Sequence, residues 1–131
     1  MNKKTGFTLM EVILVVIIVA ILAAVAIPQY SGIVERTRAS EGVHVLGAIL
    51  SSMERYHLEN SAYTNNLGNL DVTIPTLKFF GTPTVYTSCA SNQICAIVLR
   101  NTSTYQLRIW GNGTVTCTSG GSSPNCDAAG Y

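Results

Sequence analysis

Three hydrophobic patterns follow one another along this chain of 131 residues. Residues 12–27 carry no polar side chain at all, sixteen positions in succession. Beyond Pro28 the pattern becomes amphipathic: Val45, Leu46, Ile49, Leu50, Met53, Tyr56 and His57 recur at spacings of three and four. Those spacings mark a helix with one buried stripe. Glu35, Arg36, Arg38, Ser40, Glu41, Ser51, Glu54 and Arg55 are placed mostly off that stripe. From Ile94 onward the period falls to two, most cleanly where Tyr105, Leu107 and Ile109 alternate with polar residues, as in a half-buried strand.

The patterns predict an α+β fold. Residues 7–27 would span about 31 Å as a helix, enough to cross a hydrocarbon core. The helix is expected to continue to about Leu58, with Pro28, Gly32, Gly42 and Gly47 as weak points. Proline removes a backbone hydrogen bond and glycine costs about 1 kcal/mol relative to alanine, so a kink or local melting near Pro28 is expected. Asn and Gly chemistry over residues 59–68 stops the helix. Tyr63, Leu67 and Leu70 are spaced to tuck the following loop onto the helix stripe. Strands are predicted at 94–100, 104–109 and 114–118, with 84–88 as an extra edge strand. Gly111-Asn112-Gly113 reads as a hairpin turn, and Asn101-Thr102-Ser103 as the other link. So small a sheet needs one face covered, and the stripe over residues 45–56 supplies the cover.

One carboxylate breaks the apolar start. Glu11 follows Gly6-Phe7-Thr8-Leu9-Met10 and lies inside the greasy segment. On insertion scales a carboxylate near a bilayer centre costs roughly 2.5–3.5 kcal/mol. Glu11 therefore needs a partner, and an amine freed by cutting just before Phe7 is the most economical one. Lys3 and Lys4 are the only charges ahead of the segment, which places that end in the cytoplasm and the remainder outside. Two plainer readings exist. Ala24-Val25-Ala26 looks like a secretory cleavage site, but the apolar stretch is long, Glu11 interrupts it and Pro28 follows the cut. An ordinary anchor explains the length but neither Glu11 nor the Gly6-Phe7 junction.

The run Lys3-Lys4-Thr5-Gly6-Phe7-Thr8-Leu9-Met10-Glu11 resembles the N-terminus of type IV prepilins and of the related pseudopilins of type II secretion. The resemblance covers about the first 30 residues. It implies that a prepilin peptidase cuts after Gly6, that Phe7 becomes the N-methylated terminus, and that Glu11 forms an assembly salt bridge with that terminus. Pro28 stands where the family often has a helix-kinking proline. The implied organisation is a leader at 1–6, a membrane and filament-core helix at 7–29, and a globular head at 30–131. The implied partners are further pilin copies, the peptidase, an inner-membrane assembly platform and its ATPase. The chain would wait as a single-pass inner-membrane protein and end in an extracellular pilus, with a secretion pseudopilin as the alternative.

Charged residues make up 11% of the chain and the net charge is +1, so no strongly basic nucleic-acid face is indicated. Cys89, Cys95, Cys117 and Cys126 all lie on the predicted outer side. An even count there reads as disulfides with three possible connectivities. Pairing within each short Ser/Asn/Gly-rich loop is expected, Cys89 with Cys95 and Cys117 with Cys126. The latter loop would pin the tail at 119–131. Zinc is the weaker rival, since neither spacing is C-x-x-C. His44 and His57 stand alone on a helix with no nucleophile motif beside them, so neither an enzyme nor a cofactor is expected. Asp71 and Asp127 are the only aspartates, too few for an easy calcium loop. Major pseudopilins typically carry such a loop near the C-terminus, whereas a C-terminal disulfide loop is common in type IV pilins. Two Asn-x-Ser/Thr runs, at 101–103 and 112–114, are read as turns.

Overall fold

The structure is a computed structural model that describes residues 6–102 and 105–119, together with Cys126 and Gly130. One helix dominates it: α1, Leu9–Asn60, 52 residues, or about 78 Å at 1.5 Å per residue. The helix passes through Pro28 without interruption, so the expected local melting does not occur. Proline withdraws one donor only, and the turns on either side stay bonded. The Ser31 hydroxyl donates to the Pro28 carbonyl at 2.9 Å. Ser61 ends the helix in the left-handed region (φ 54°), its N–H donating to the His57 carbonyl.

A short 3₁₀ turn, Leu67–Asn69, interrupts the long connection to the sheet. The strands are β1 (Thr84–Val85), β2 (Ile94–Leu99), β3 (Tyr105–Trp110) and β4 (Val115–Ser119). They form an antiparallel meander in the order β1-β2-β3-β4. The predicted edge strand at 84–88 is thus real but only two residues long. The turn after β3 is built as its sequence suggests: Trp110 N–H donates to the Thr114 carbonyl, and Gly113 adopts φ 82°. Asn112 Oδ1 accepts from Thr114 N–H at 2.9 Å.

The sheet covers one side of the distal half of α1. Ala39, Leu46, Ile49 and Met53 are fully buried against Ala96, Val98 and Leu107. A register shift between Ile94 and Ala96 turns both Cys95 and Ala96 inward, as a bulge does. Gly42 is a contact point as well as a weak helix position. A β-carbon there would lie 2.9 Å from Leu107 Cδ1 and 3.1 Å from Phe80 Cζ, so any larger residue would make these side chains shift. Leu70 is buried in the same core, with Tyr63 and Leu67 packed beside it.

Three polar fasteners tie the head to α1. Glu35, expected off the stripe, lies on it: its carboxylate accepts from Arg100 Nε at 2.9 Å, Tyr105 Oη at 2.8 Å and Arg38 at 3.2 Å. Arg100 is 7% exposed, donates also to the Phe79 carbonyl, and stands 5.3 Å from the Phe79 ring centre. Glu41 accepts the backbone N–H groups of Lys78 and Phe79 at 2.8 and 2.9 Å. Asp71 takes both arms of Arg55 at 2.7 Å and the hydroxyl of fully buried Ser52.

Burial pushes the Glu35 carboxyl upward, but hydrogen bonds from Arg100, Tyr105 and Arg38 outweigh it and hold the group below its ordinary 4.5. Burial and the neighbouring carboxylate push the Tyr105 phenol up. Glu35→Gln leaves Arg100 buried without its counter-charge. It should cost about 2–3 kcal/mol, below the usual 3–5 because Glu35 keeps some solvent access. Urea unfolding of the full chain in detergent, followed by the single Trp110, measures it. A depressed folded-state pKa stabilises above the unfolded value. The wild-type advantage should therefore shrink as pH falls below 4.5.

Candidate assembly helix

The N-terminal half of α1 is the candidate functional element. Thr8 is the N-cap, in extended backbone (φ −84°, ψ 147°), and its Oγ1 accepts from Glu11 N–H at 3.3 Å. That bond satisfies one of the orphan donors at the helix start and fixes where the helix begins. Phe7 is left one residue outside, 81% exposed. Glu11 occupies the first turn, where the positive end of the helix favours a carboxylate. No ion pair reaches Glu11 among the described residues.

Every large apolar side chain from Val12 to Ile27 is exposed, as are Tyr30 and Ile33. A helix apolar on all sides is stable only when covered on all sides. Burying one such side chain is worth about 1.5–3 kcal/mol, so the sixteen residues of the run represent tens of kcal/mol left unrealised in water. The helix is long and apolar enough to cross a membrane. Lipid or other helices of the same kind are the two environments that answer this need.

Gly6, Phe7 and Glu11 therefore sit together at one end, and Pro28 marks the approach to the head. Lys3 and Lys4 lie outside the described residues. The cysteines all lie in the head, in or against its core. Cys89 is joined to Cys95 and Cys117 to Cys126, with Cα–Cα distances of 4.5 and 5.7 Å. The first loop is seated on the β3–β4 turn, where Gly111 N–H donates to the Gln93 carbonyl at 3.0 Å. A β-carbon on Gly111 would collide with the Ala90 carbonyl. The second loop ties β4 to the tail, most of which, Asp127 included, lies outside the described residues. His57 stacks on Tyr63, ring centres 4.3 Å apart, while His44 is exposed. Among the described residues no group of three His, Cys, Asp or Glu is placed to hold a metal ion.

The family model described as the prokaryotic N-terminal methylation motif matches residues 1–27. The type IV wide pilus major component PilA4 of Thermus thermophilus is 32% identical over 101 residues, 74% of each chain. The chain belongs to the pilin and pseudopilin family. Another relative, type II secretion system core protein G of Vibrio cholerae, is 38% identical over 78 residues, 58% of this chain and 53% of its own. A fimbrial protein of Pseudomonas aeruginosa is 42% identical over 59 residues, 45% of this chain and 38% of its own. Against protein G the match spans about half of the relative's length. Proteins of this family are structural subunits.

The Cys117–Cys126 bridge closes a loop of sequence separation 9, for which chain-entropy arguments give about 2–3 kcal/mol. A Cys117→Ala, Cys126→Ala double variant should lose that much in urea titration. Adding reductant to the variant should then cost only what the Cys89–Cys95 bridge contributes.

Proposed function

We propose that the chain is a subunit of a type IV pilus, made as a prepilin, cut after Gly6, N-methylated at Phe7 and drawn from the inner membrane into a helical filament. Residues 1–6 are then the leader, 7–29 the membrane and filament-core helix, and 30–131 the head. The peptidase, a membrane assembly platform and its ATPase are the partners this route requires. The observation that carries the reading is the 101-residue likeness to a wide-pilus component. An alignment of that length cannot fit within the helix, which ends at Asn60, so the head shares it.

The mechanism follows from the exposed helix. Lipid tails satisfy it before assembly, and the same helices of neighbouring subunits satisfy it afterwards. Apolar packing has no direction of its own, so many axial registers would lie close in energy. Glu11 removes that degeneracy by meeting the Phe7 amine of an adjacent subunit. Buried ion pairs are best attested as register devices, and loss of one partner costs about 3–5 kcal/mol.

A second reading, a pseudopilin of type II secretion, is favoured by the likeness to protein G. Against it stands the chemistry of the carboxylates. Asp71 is held by Arg55 and Ser52, which pull its carboxyl down to about 2, and it is one of only two aspartates. In the native host, deletion should remove surface fibres on the first reading and protein export on the second.

Intact mass of the filament subunit should correspond to a chain beginning at methylated Phe7. A start at Ile27 would point to ordinary secretion. Glu11→Ala should still insert into the membrane yet give little or no filament in sheared fractions. Normal filament from that variant overturns the salt-bridge mechanism.

A further inference from the structure

The side of α1 turned away from the sheet carries a shallow groove lined by Ser40, Val43, His44, Gly47, Ala48 and Ser51. Arg36, whose side chain lies beside Gly130 of the tail, and Glu54 bound it below and above, both exposed. They are eighteen positions apart, which is five full helical turns, so they rise from the same side about 27 Å apart. Neither enters an ion pair among the described residues. The other charges near the neck are committed: Glu35 to Arg100 and Arg38, Glu41 to backbone N–H groups. Gly47 is open, with nothing within 4 Å of where its β-carbon would be. A glycine in an exposed helix interior costs about 1 kcal/mol against alanine, and the head's own packing gives no return for it.

We infer that this face receives the apolar segment of a second copy, displaced along the fibre axis by about 27 Å, with Arg36 of the displaced copy paired to Glu54 of the first. The inference rests on the filament reading above. That single displacement does two things together. It brings two opposite, unspent charges level, and it lays residues 22–33 of one copy against positions 40–51 of the other. Leu22, Val25 and Ile33 are more than 60% exposed, and residues 22–27 are apolar all round, so that half of the segment meets the groove with an apolar side whichever way it turns. Lipid is not the occupant, because the groove begins about 20 Å beyond the apolar run along the helix. Parallel helices are required in any case if Glu11 of one copy is to find Phe7 of the next.

Charge exchange in the full chain, in an assembling host, tests the contact. Arg36→Glu and Glu54→Arg should each lower sheared-filament yield on the order of ten-fold, since each exchange sets two like charges level across the contact. The double exchange should restore it to within about two-fold. An Arg36→Cys, Glu54→Cys double variant should give an oxidative ladder of cross-linked copies. Within one chain those positions are too far apart to bridge, a disulfide needing Cα atoms within about 7 Å. Gly47→Leu should leave the subunit's unfolding curve at least as stable and still reduce filaments. Single exchanges that assemble at wild-type yield, or a double exchange no better than either single, overturn the contact. Glu11→Ala run in parallel keeps the two ideas apart. Loss of filaments there with no charge effect at 36 and 54 removes this contact alone. Normal filaments there with a clear charge effect remove the salt-bridge mechanism and leave this contact standing.

Discussion

An unbroken apolar surface around a helix cannot rest in water, and nearly everything else in this molecule follows from that. The side chains of residues 12–27 offer no polar face to solvent and no sheet covers them. The head cannot fold back to hide them, because the sheet is already spent on the distal half of α1. The subunit is therefore incomplete by construction. Membership of the pilin and pseudopilin family fits this arrangement, since a structural subunit is defined by surfaces that other copies finish.

That incompleteness sets what the head must do. A helix pulled on at its apolar end transmits load into the head through the neck. The fasteners are concentrated there. Glu35 gathers Arg100, Tyr105 and Arg38, and Glu41 holds the backbone at Lys78 and Phe79. Apolar contacts resist separation but tolerate sliding, whereas charge-assisted hydrogen bonds fix position and direction. In the head the two disulfides close short loops rich in Ser, Asn and Gly.

Much of this could be read from residue spacing, because spacing is what packing acts on. The stripe at Val45, Leu46, Ile49, Leu50 and Met53, the alternation at Tyr105, Leu107 and Ile109, and the turn at Asn112-Gly113 all appear as residue types at their proper period. What escaped were positions where one rule masked another. Running the stripe back by threes and fours from Met53 reaches Ile49, Leu46, Gly42, Ala39 and then Glu35. Its charge suggested a solvated face, yet its phase put it in the core. Arg100 is the same case on the sheet, in step with Ala96 and Val98. A half-buried acid and a buried base, each in phase with a core, are the signal that could have paired them. Ser52 also lies inside, and only its distant partner Asp71, nineteen residues on, explains why. The helix continues through Pro28 as its pattern predicted, without the local melting that a proline can cause.

The polar residues of the helix then acquire a common logic. A fibre held only by apolar surfaces would be strong and unspecific, since a step along the axis changes the buried area little. Specific register needs polar groups that are costly when unmatched. The chain has few charges to give to that task, six cationic and seven anionic side chains beyond Lys3 and Lys4. Glu35, Arg38, Arg55, Asp71 and Arg100 are committed within the subunit. Among the described residues, Glu11 at the foot of α1 and Arg36 and Glu54 above it on the exposed flank enter no ion pair. In the proposed fibre a misplaced register would therefore strand several charges at once along one helix. Stranding costs from well-separated sites add, so a few carboxylates and guanidinium groups suffice to select one register from many that grease alone would allow.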